Sequence, residues 1–190
     1  MQNDFYTSTE VSTITGCSRR QLQYWRDKGV VVPTVNPSGK GRNVYYSIKE
    51  LLALTLMHRL LSLGLSFEPS VQVLEMLQNG ETWLFGESLE PSQSKRWMIA
   101  LGIKDYSPAV LNFDRDFAMN TIESGGGILD LASDSIYERL RQKLAEFKGE
   151  VAPSSDDYLP SGTFSDDHLS ESHRERIALG VALIQIKGAT

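Results

Sequence analysis

The sequence holds a single cysteine, Cys17, in 190 residues. That excludes an internal disulfide framework and any metal cage built from several thiolates. Long apolar runs are also missing: the stretch around 51–65 is interrupted by His58 and Arg59 and is too short to span a bilayer. No basic-then-apolar secretion signal opens the chain, so a soluble cytoplasmic protein is expected. Gly125-Gly126-Gly127 lacks the Gly-Lys-Ser/Thr ending of a phosphate loop and comes before an expected strand, so it reads as a helix end and turn. The paired carboxylates Asp114/Asp116 and Asp166/Asp167 have no nucleophile or histidine arrangement beside them and read as loop charges or helix caps. His58 has no partner at i±4 and reads as a packed or rim histidine, and His173, flanked by Arg174, Glu175 and Arg176, as a solvated one. No catalytic residue, metal ligand or cofactor is assigned, and the chain is not expected to be an enzyme.

The net charge of −5 is unevenly spread. Residues 1–65 carry eight basic side chains against four acidic ones, a net of +4, which leaves eleven basic against twenty acidic and a net of −9 for the rest. One polyanion-binding end and an acidic remainder follow from that asymmetry.

Three capping signals stand in the basic end: Thr7-Ser8-Thr9-Glu10, Ser18-Arg19-Arg20-Gln21 and Ser47-Ile48-Lys49-Glu50. Each offers a hydroxyl at a helix start and a Glu or Gln three residues on. The first two lie eleven positions apart with Gly16 between, the plan of a helix-turn-helix. The spacing predicts helices over about 8–15, burying Val11 and Ile14, and about 19–28, burying Leu22 and Trp25, with Gly29 closing the second. Arg20, Gln23 and Tyr24 then project away from the buried face, toward a major groove. Cys17 reads as a small buried filler of the turn. Val30-Val31-Val32 and Lys40–Tyr46, joined by a Gly/Pro/Asn loop, predict a hairpin or wing with Lys40 and Arg42 facing phosphates. Alternation sends Tyr45 and Tyr46 to opposite faces, one packing and the other reaching the backbone. Leucine-rich helix 48–63 and helix 67–77, capped by Ser66, complete this end.

The order of these pieces over 6–77 resembles the MerR family of winged-helix transcription regulators. The resemblance rests on Tyr6-Thr7, on Thr15-Gly16-Cys17-Ser18-Arg19-Arg20 and on Leu22-Gln23-Tyr24-Trp25 with Gly29 and Pro33. It continues with Gly41-Arg42, Tyr46-Ser47 and Leu63-Gly64-Leu65-Ser66. It implies a dimer on pseudo-palindromic promoter DNA, contact roles for Arg19, Arg20, Gln23, Tyr24, Arg42 and Tyr46, and RNA polymerase as a further partner. Gln23 stands where the family usually has Arg, and Trp25 where it usually has Tyr; Gln can read adenine bidentately. The family's long dimerisation helix is not expected, because Gly80, Gly86 and Pro91 interrupt the space for it. Sensing of thiophilic metals is set aside for want of cysteines there.

Beyond residue 80, Trp83-Leu84-Phe85 reads as a short strand, 87–95 as a loop and 96–101 as strand or helix. Ser107-Pro108 reads as a helix start running to about Ser124, with Asp114 as an alternative start. Ile128–Leu131 reads as a strand, and Ser135-Ile136-Tyr137-Glu138 as a fourth capping box opening a helix to about Lys148. The Ser/Pro/Gly/Asp-rich stretch that follows reads as a flexible linker.

The expected fold is α+β. A winged helix-turn-helix (1–79) is followed by a small α/β module for dimerisation or effector binding (80–148), a linker (149–167) and a C-terminal amphipathic helix (168–190). The expected function is a sequence-specific, nucleoid-associated transcription regulator. Its DNA contacts are Arg19, Arg20, Gln23, Tyr24, Lys40, Arg42 and Tyr46, and its partners are double-stranded DNA and a second copy, with no membrane. Two alternatives are an excisionase-like architectural DNA-binding protein and a co-chaperone-like adaptor.

Overall fold

A computed structural model describes residues 5–36, 43–101 and 107–152. All belong to one compact unit, Met1–Ala152; a second unit is Pro153–Thr190. The expected linker beyond residue 152 and the helix at 168–190 lie outside the described residues, as do Lys40 and Arg42.

The first two capping boxes form as the spacing predicts. Thr7 and Glu10 exchange backbone-to-side-chain bonds of 2.7 and 3.4 Å at the head of α1 (Ser8–Thr15), and Ser18 and Gln21 do so at 2.8 and 3.2 Å at the head of α2 (Arg19–Asp27). Each satisfies two donors that a helix start leaves open. Gly16, at φ 78°, makes the left-handed turn between them. Gly29, at φ 74°, ends α2, with Val30 N–H bonded back to the Trp25 carbonyl and Gly29 N–H to that of Arg26.

That ending corrects the expected wing. Val30–Val32 is no strand: Val30 finishes the α2 cap and Val31 is buried in the core. Among the described residues the first arm narrows to one antiparallel bridge, Val35 with Tyr45, bonded both ways at 3.0 and 2.9 Å. Strand β2 (Tyr45–Tyr46) instead pairs with β1 (Tyr6–Thr7), Tyr6 opposite Tyr46. At the start of α3 (Ile48–Ser62), the Glu50 carboxylate accepts from the Ser47 N–H, the Ser47 hydroxyl and, at 2.9 Å, the Thr34 hydroxyl. One carboxylate thereby ties both roots of the wing to α3.

Helix α3 is the central core element, with Leu51, Leu52, Leu54, Leu56, Met57 and Leu60 buried. Helix α4 (Phe67–Gly80) outruns the expected end at Leu77. Thr82–Phe85 is a 3-10 turn rather than a strand, because Leu84 N–H bonds to the Glu81 carbonyl and draws the short apolar run into a coil. Such runs carry no period that separates the two.

Three antiparallel strands follow in the order β4-β3-β5: β3 (Arg96–Leu101), β4 (Pro108–Asn112) and β5 (Gly127–Ala132). Pro108 therefore opens an edge strand, where its missing N–H does no harm, and not a helix. The helix start falls instead to Asp114, whose side chain accepts from Phe117 N–H at 2.8 Å to cap α5 (Arg115–Glu123). Helix α6 (Ser133–Lys148) begins two residues before the expected capping box, and Ser135 lies inside it, its hydroxyl donating to the Ala132 carbonyl. Trp97, Ile99 and Leu131 point from the sheet into the core, and α6 packs against α1 and α3. The core is therefore continuous from α1 to α6. No described helix is long and apolar enough to cross a membrane.

Candidate nucleic-acid interface

Helix α2 presents an exposed edge because Leu22 and Trp25, each 2% exposed, anchor its other side. Arg19, Arg20, Gln23 and Tyr24 are exposed. Its first turn holds two arginines and no acid. Cations at a helix N-terminus oppose the macrodipole, so this arrangement costs local stability that a bound anion would return.

Arg19, Arg20 and Gln23 meet the N-terminus of α1 and strand β2 around a recess of about 410 Å³, lined also by Ser8, Arg26 and Tyr46. The Tyr46 ring is in the core, 1% exposed, and its hydroxyl is hydrogen-bonded to Ser8. Burial pushes the Tyr46 phenol above its ordinary pKa, so its hydroxyl stays neutral. Three guanidiniums and two hydroxyls around one recess suit a phosphate, whose oxygens take forked donors. Tyr24 stands apart from this group. Its ring leans on Phe67 of α4 at 5.2 Å, tilted by 54°, with Lys28 Nζ 5.7 Å above it.

Of the seven residues expected to touch DNA, the structure gathers four: Arg19, Arg20, Gln23 and Tyr46. Tyr24 lies on the neighbouring face, and Lys40 and Arg42 are outside the described residues. Arg26 and Ser8 were not anticipated. Arg26 follows Leu22 by four positions, which places its stem on the apolar side of the helix while its guanidinium reaches the rim; Asp27 stands 3.5 Å from its Nε. Among the described residues, no cluster of His, Cys, Asp and Glu could hold a metal ion. Cys17 is fully buried with its thiol pushed up to about 12 by desolvation, which suits a filler and not a nucleophile.

A second recess, of about 500 Å³, adjoins the root of the wing, between Tyr6, Ser47 and Ile48 on one side and Arg141, Leu144 and Lys148 of α6 on the other.

Uncharacterized HTH-type transcriptional regulators of Mycobacterium tuberculosis and Mycobacterium bovis are 26% identical to this chain over 175 residues, covering 90% of it and 70% of their own length. That likeness runs past the helix-turn-helix into the sheet module. Residues 6–77 match the MerR HTH family of regulatory proteins, the stretch that runs from β1 to the last buried turn of α4. The N-terminal part of this chain is thus a MerR-family helix-turn-helix region.

Proposed function

We propose that the protein is a sequence-specific DNA-binding transcription regulator that acts as a dimer on promoter DNA. The observation that carries this reading is the recess where Arg19, Arg20 and Arg26 converge on Ser8 and Tyr46 beside the exposed edge of α2. The recess holds a backbone phosphate and fixes the helix in register, while Gln23 at its edge reads bases in the major groove. Lys40 and Arg42 extend the cationic track onto the flanking phosphates. Residues 80–148 serve as the dimerisation or effector module, and the recess at the wing root is the candidate effector site beside the reading head. RNA polymerase is the partner through which such a dimer influences transcription, in the cytoplasm and on the nucleoid.

The test separates positioning contacts from reading contacts. Arg26→Ala and Arg42→Ala should each weaken binding to all duplexes alike and lower the slope of log affinity against log salt by about one. Gln23→Ala should leave that slope alone and change the preferred site in a selection from random duplexes. A salt slope unchanged in Arg26→Ala would remove the phosphate cradle from the mechanism, and one unchanged in Arg42→Ala would remove the wing contact.

A further inference from the structure

The recess of about 500 Å³ at the wing root takes its walls from the reading head and from α6. Arg141, Leu144, Ala145 and Lys148 follow the i, i+3, i+4, i+7 spacing, so they line one face of α6. Their two cations stand about 10 Å apart along the helix axis. Gly149, at φ 75°, then turns the chain back, and Glu150 N–H bonds to the Ala145 carbonyl at 2.9 Å, which brings Glu150 into the same lining as Lys148. The loop after the 3-10 turn adds Glu87 and Leu89. Its Glu90 reaches Arg141 at 3.6 Å, but that carboxylate is 84% exposed, so the pair is weak and readily exchanged. Tyr6 of β1, with Ser47 and Ile48 at the head of α3, forms the facing wall.

Apolar groups lie deep here and charges lie at the rim. Leu144 and Tyr6 are buried and Ile48, Leu89 and Ala145 half-buried, whereas Glu87, Lys148 and Glu150 are exposed. A plain anion would gain Arg141 and Lys148 but meet Glu87, Glu150 and Glu90. A plain cation would meet the same groups with the signs reversed. A molecule that carries both charges on an apolar body satisfies the whole lining. Its carboxylate takes the Arg141 fork in place of Glu90. Its ammonium, which has donors and no acceptor, finds a glutamate carboxylate and the Ser47 hydroxyl oxygen. The space is of the size that takes a small molecule.

Ser47 also connects the recess to the wing. Its hydroxyl donates to Glu50 at 2.7 Å, and the same carboxylate holds the Thr34 hydroxyl at 2.9 Å. A hydroxyl that donates once still accepts, so an ammonium on the Ser47 oxygen leaves the bond to Glu50 intact and polarises it. We infer that the wing-root recess binds an α-amino acid with an apolar side chain, and that occupancy stiffens the wing through Ser47, Glu50 and Thr34. The inference rests on the regulator reading proposed above and names the chemical class of its effector.

The experiment is titration calorimetry of the full chain with L-phenylalanine, and with two analogues that each lack one charge: 3-phenylpropanoate and 2-phenylethylamine. Phenylalanine should bind with a dissociation constant below about 1 mM, and each analogue should bind at least about tenfold more weakly, because one rim charge is then left unmatched. Arg141→Gln should weaken phenylalanine by about tenfold. Ala145→Leu, which fills the floor, should abolish binding, and Glu138→Gln, elsewhere on α6, should leave it unchanged. No binding of phenylalanine, an analogue that binds as well, or an unaffected Arg141→Gln would overturn the site. Saturating phenylalanine should also raise affinity for the duplex selected by the wild-type chain, by about fivefold. Thr34→Val should bind phenylalanine as wild type does and lose that response. A duplex affinity unmoved by bound phenylalanine, or a full response in Thr34→Val, would overturn the coupling. If phenylalanine binds with this pattern and no form of the chain binds DNA, the site stands and the regulator reading falls. If DNA is bound and phenylalanine is not, the reader stands and the site falls.

Discussion

At the scale of single residues, the pair formed by Gly16 and His58 has the clearest physical signature. The helix-turn-helix angle depends on a left-handed residue at position 16, and a Cβ there would stand 3.2 Å from His58 Nε2. His58 Nδ1 is buried and has no hydrogen-bond partner among the described residues. Burial, with the charge of Arg139 of α6 added, pulls the imidazole below its ordinary value of 6.5. The unfolded chain therefore takes up a proton at this site before the folded chain does. Stability should fall as pH drops from about 6.5 toward the lower folded value, by at most about 1.4 kcal/mol per pH unit, the limit for one proton. Denaturant melts of wild type and His58→Phe between neutral and mildly acidic pH check this. Equal slopes in the two proteins would mean that other groups set the acid limb.

At the scale of elements, the junction between α4 and the sheet is held by one carboxylate. Glu81 accepts from Lys95 Nζ, from Trp83 Nε1 at 2.8 Å and from Trp97 Nε1 at 3.3 Å, between two indoles stacked at 6.1 Å. Desolvation works against its charged form, yet these three donors prevail and hold its carboxyl below the usual range. Glu81→Ala should cost about 1–3 kcal/mol, the range for charge-assisted bonds lost to a half-buried site, and chemical denaturation reads it directly. A loss below about 0.5 kcal/mol would show that the stacked indoles hold the junction by themselves. None of this was legible in the sequence, because its partners lie up to sixteen positions away.

What was legible is what is local. Helices α1, α2 and α3 start where a hydroxyl and a Glu or Gln stand three residues apart, since the bonds concerned span a single turn. The same logic misled at Ser107-Pro108 and Ser135, where strand pairing of β4 with β3 and the early start of α6 outweighed the local signal. Arg20 and Gln23 were legible from the outward face of α2 and Arg19 from its place at the helix start, but the same face grouped Tyr24 with them, and Tyr24 leans on Phe67 instead. Ser8 and Arg26 were not legible, because their place depends on how α1 crosses α2 and on where a long side chain ends. The β1–β2 pairing was hidden for the same reason: two residues carry no period.

At the scale of the whole molecule, the charge is divided as the proposed task requires. The cationic first 65 residues hold a net of +4 and the remainder a net of −9. The acidic part is repelled by a duplex, which favours encounters through α2 and the wing. The core that links the two is the feature with the widest reach. Helix α6 packs on α1 and α3, so the reading head and the sheet module share buried side chains. Trp25 lies in the first and Trp97 in the second, each 2% exposed. Intrinsic fluorescence can therefore interrogate the two ends separately, through variants that keep only one of these indoles. Their melting midpoints should coincide, as a single cooperative transition demands. Two distinct midpoints would reveal a reading head that loosens on its own, and with it a route for signals to act by melting instead of by rotation.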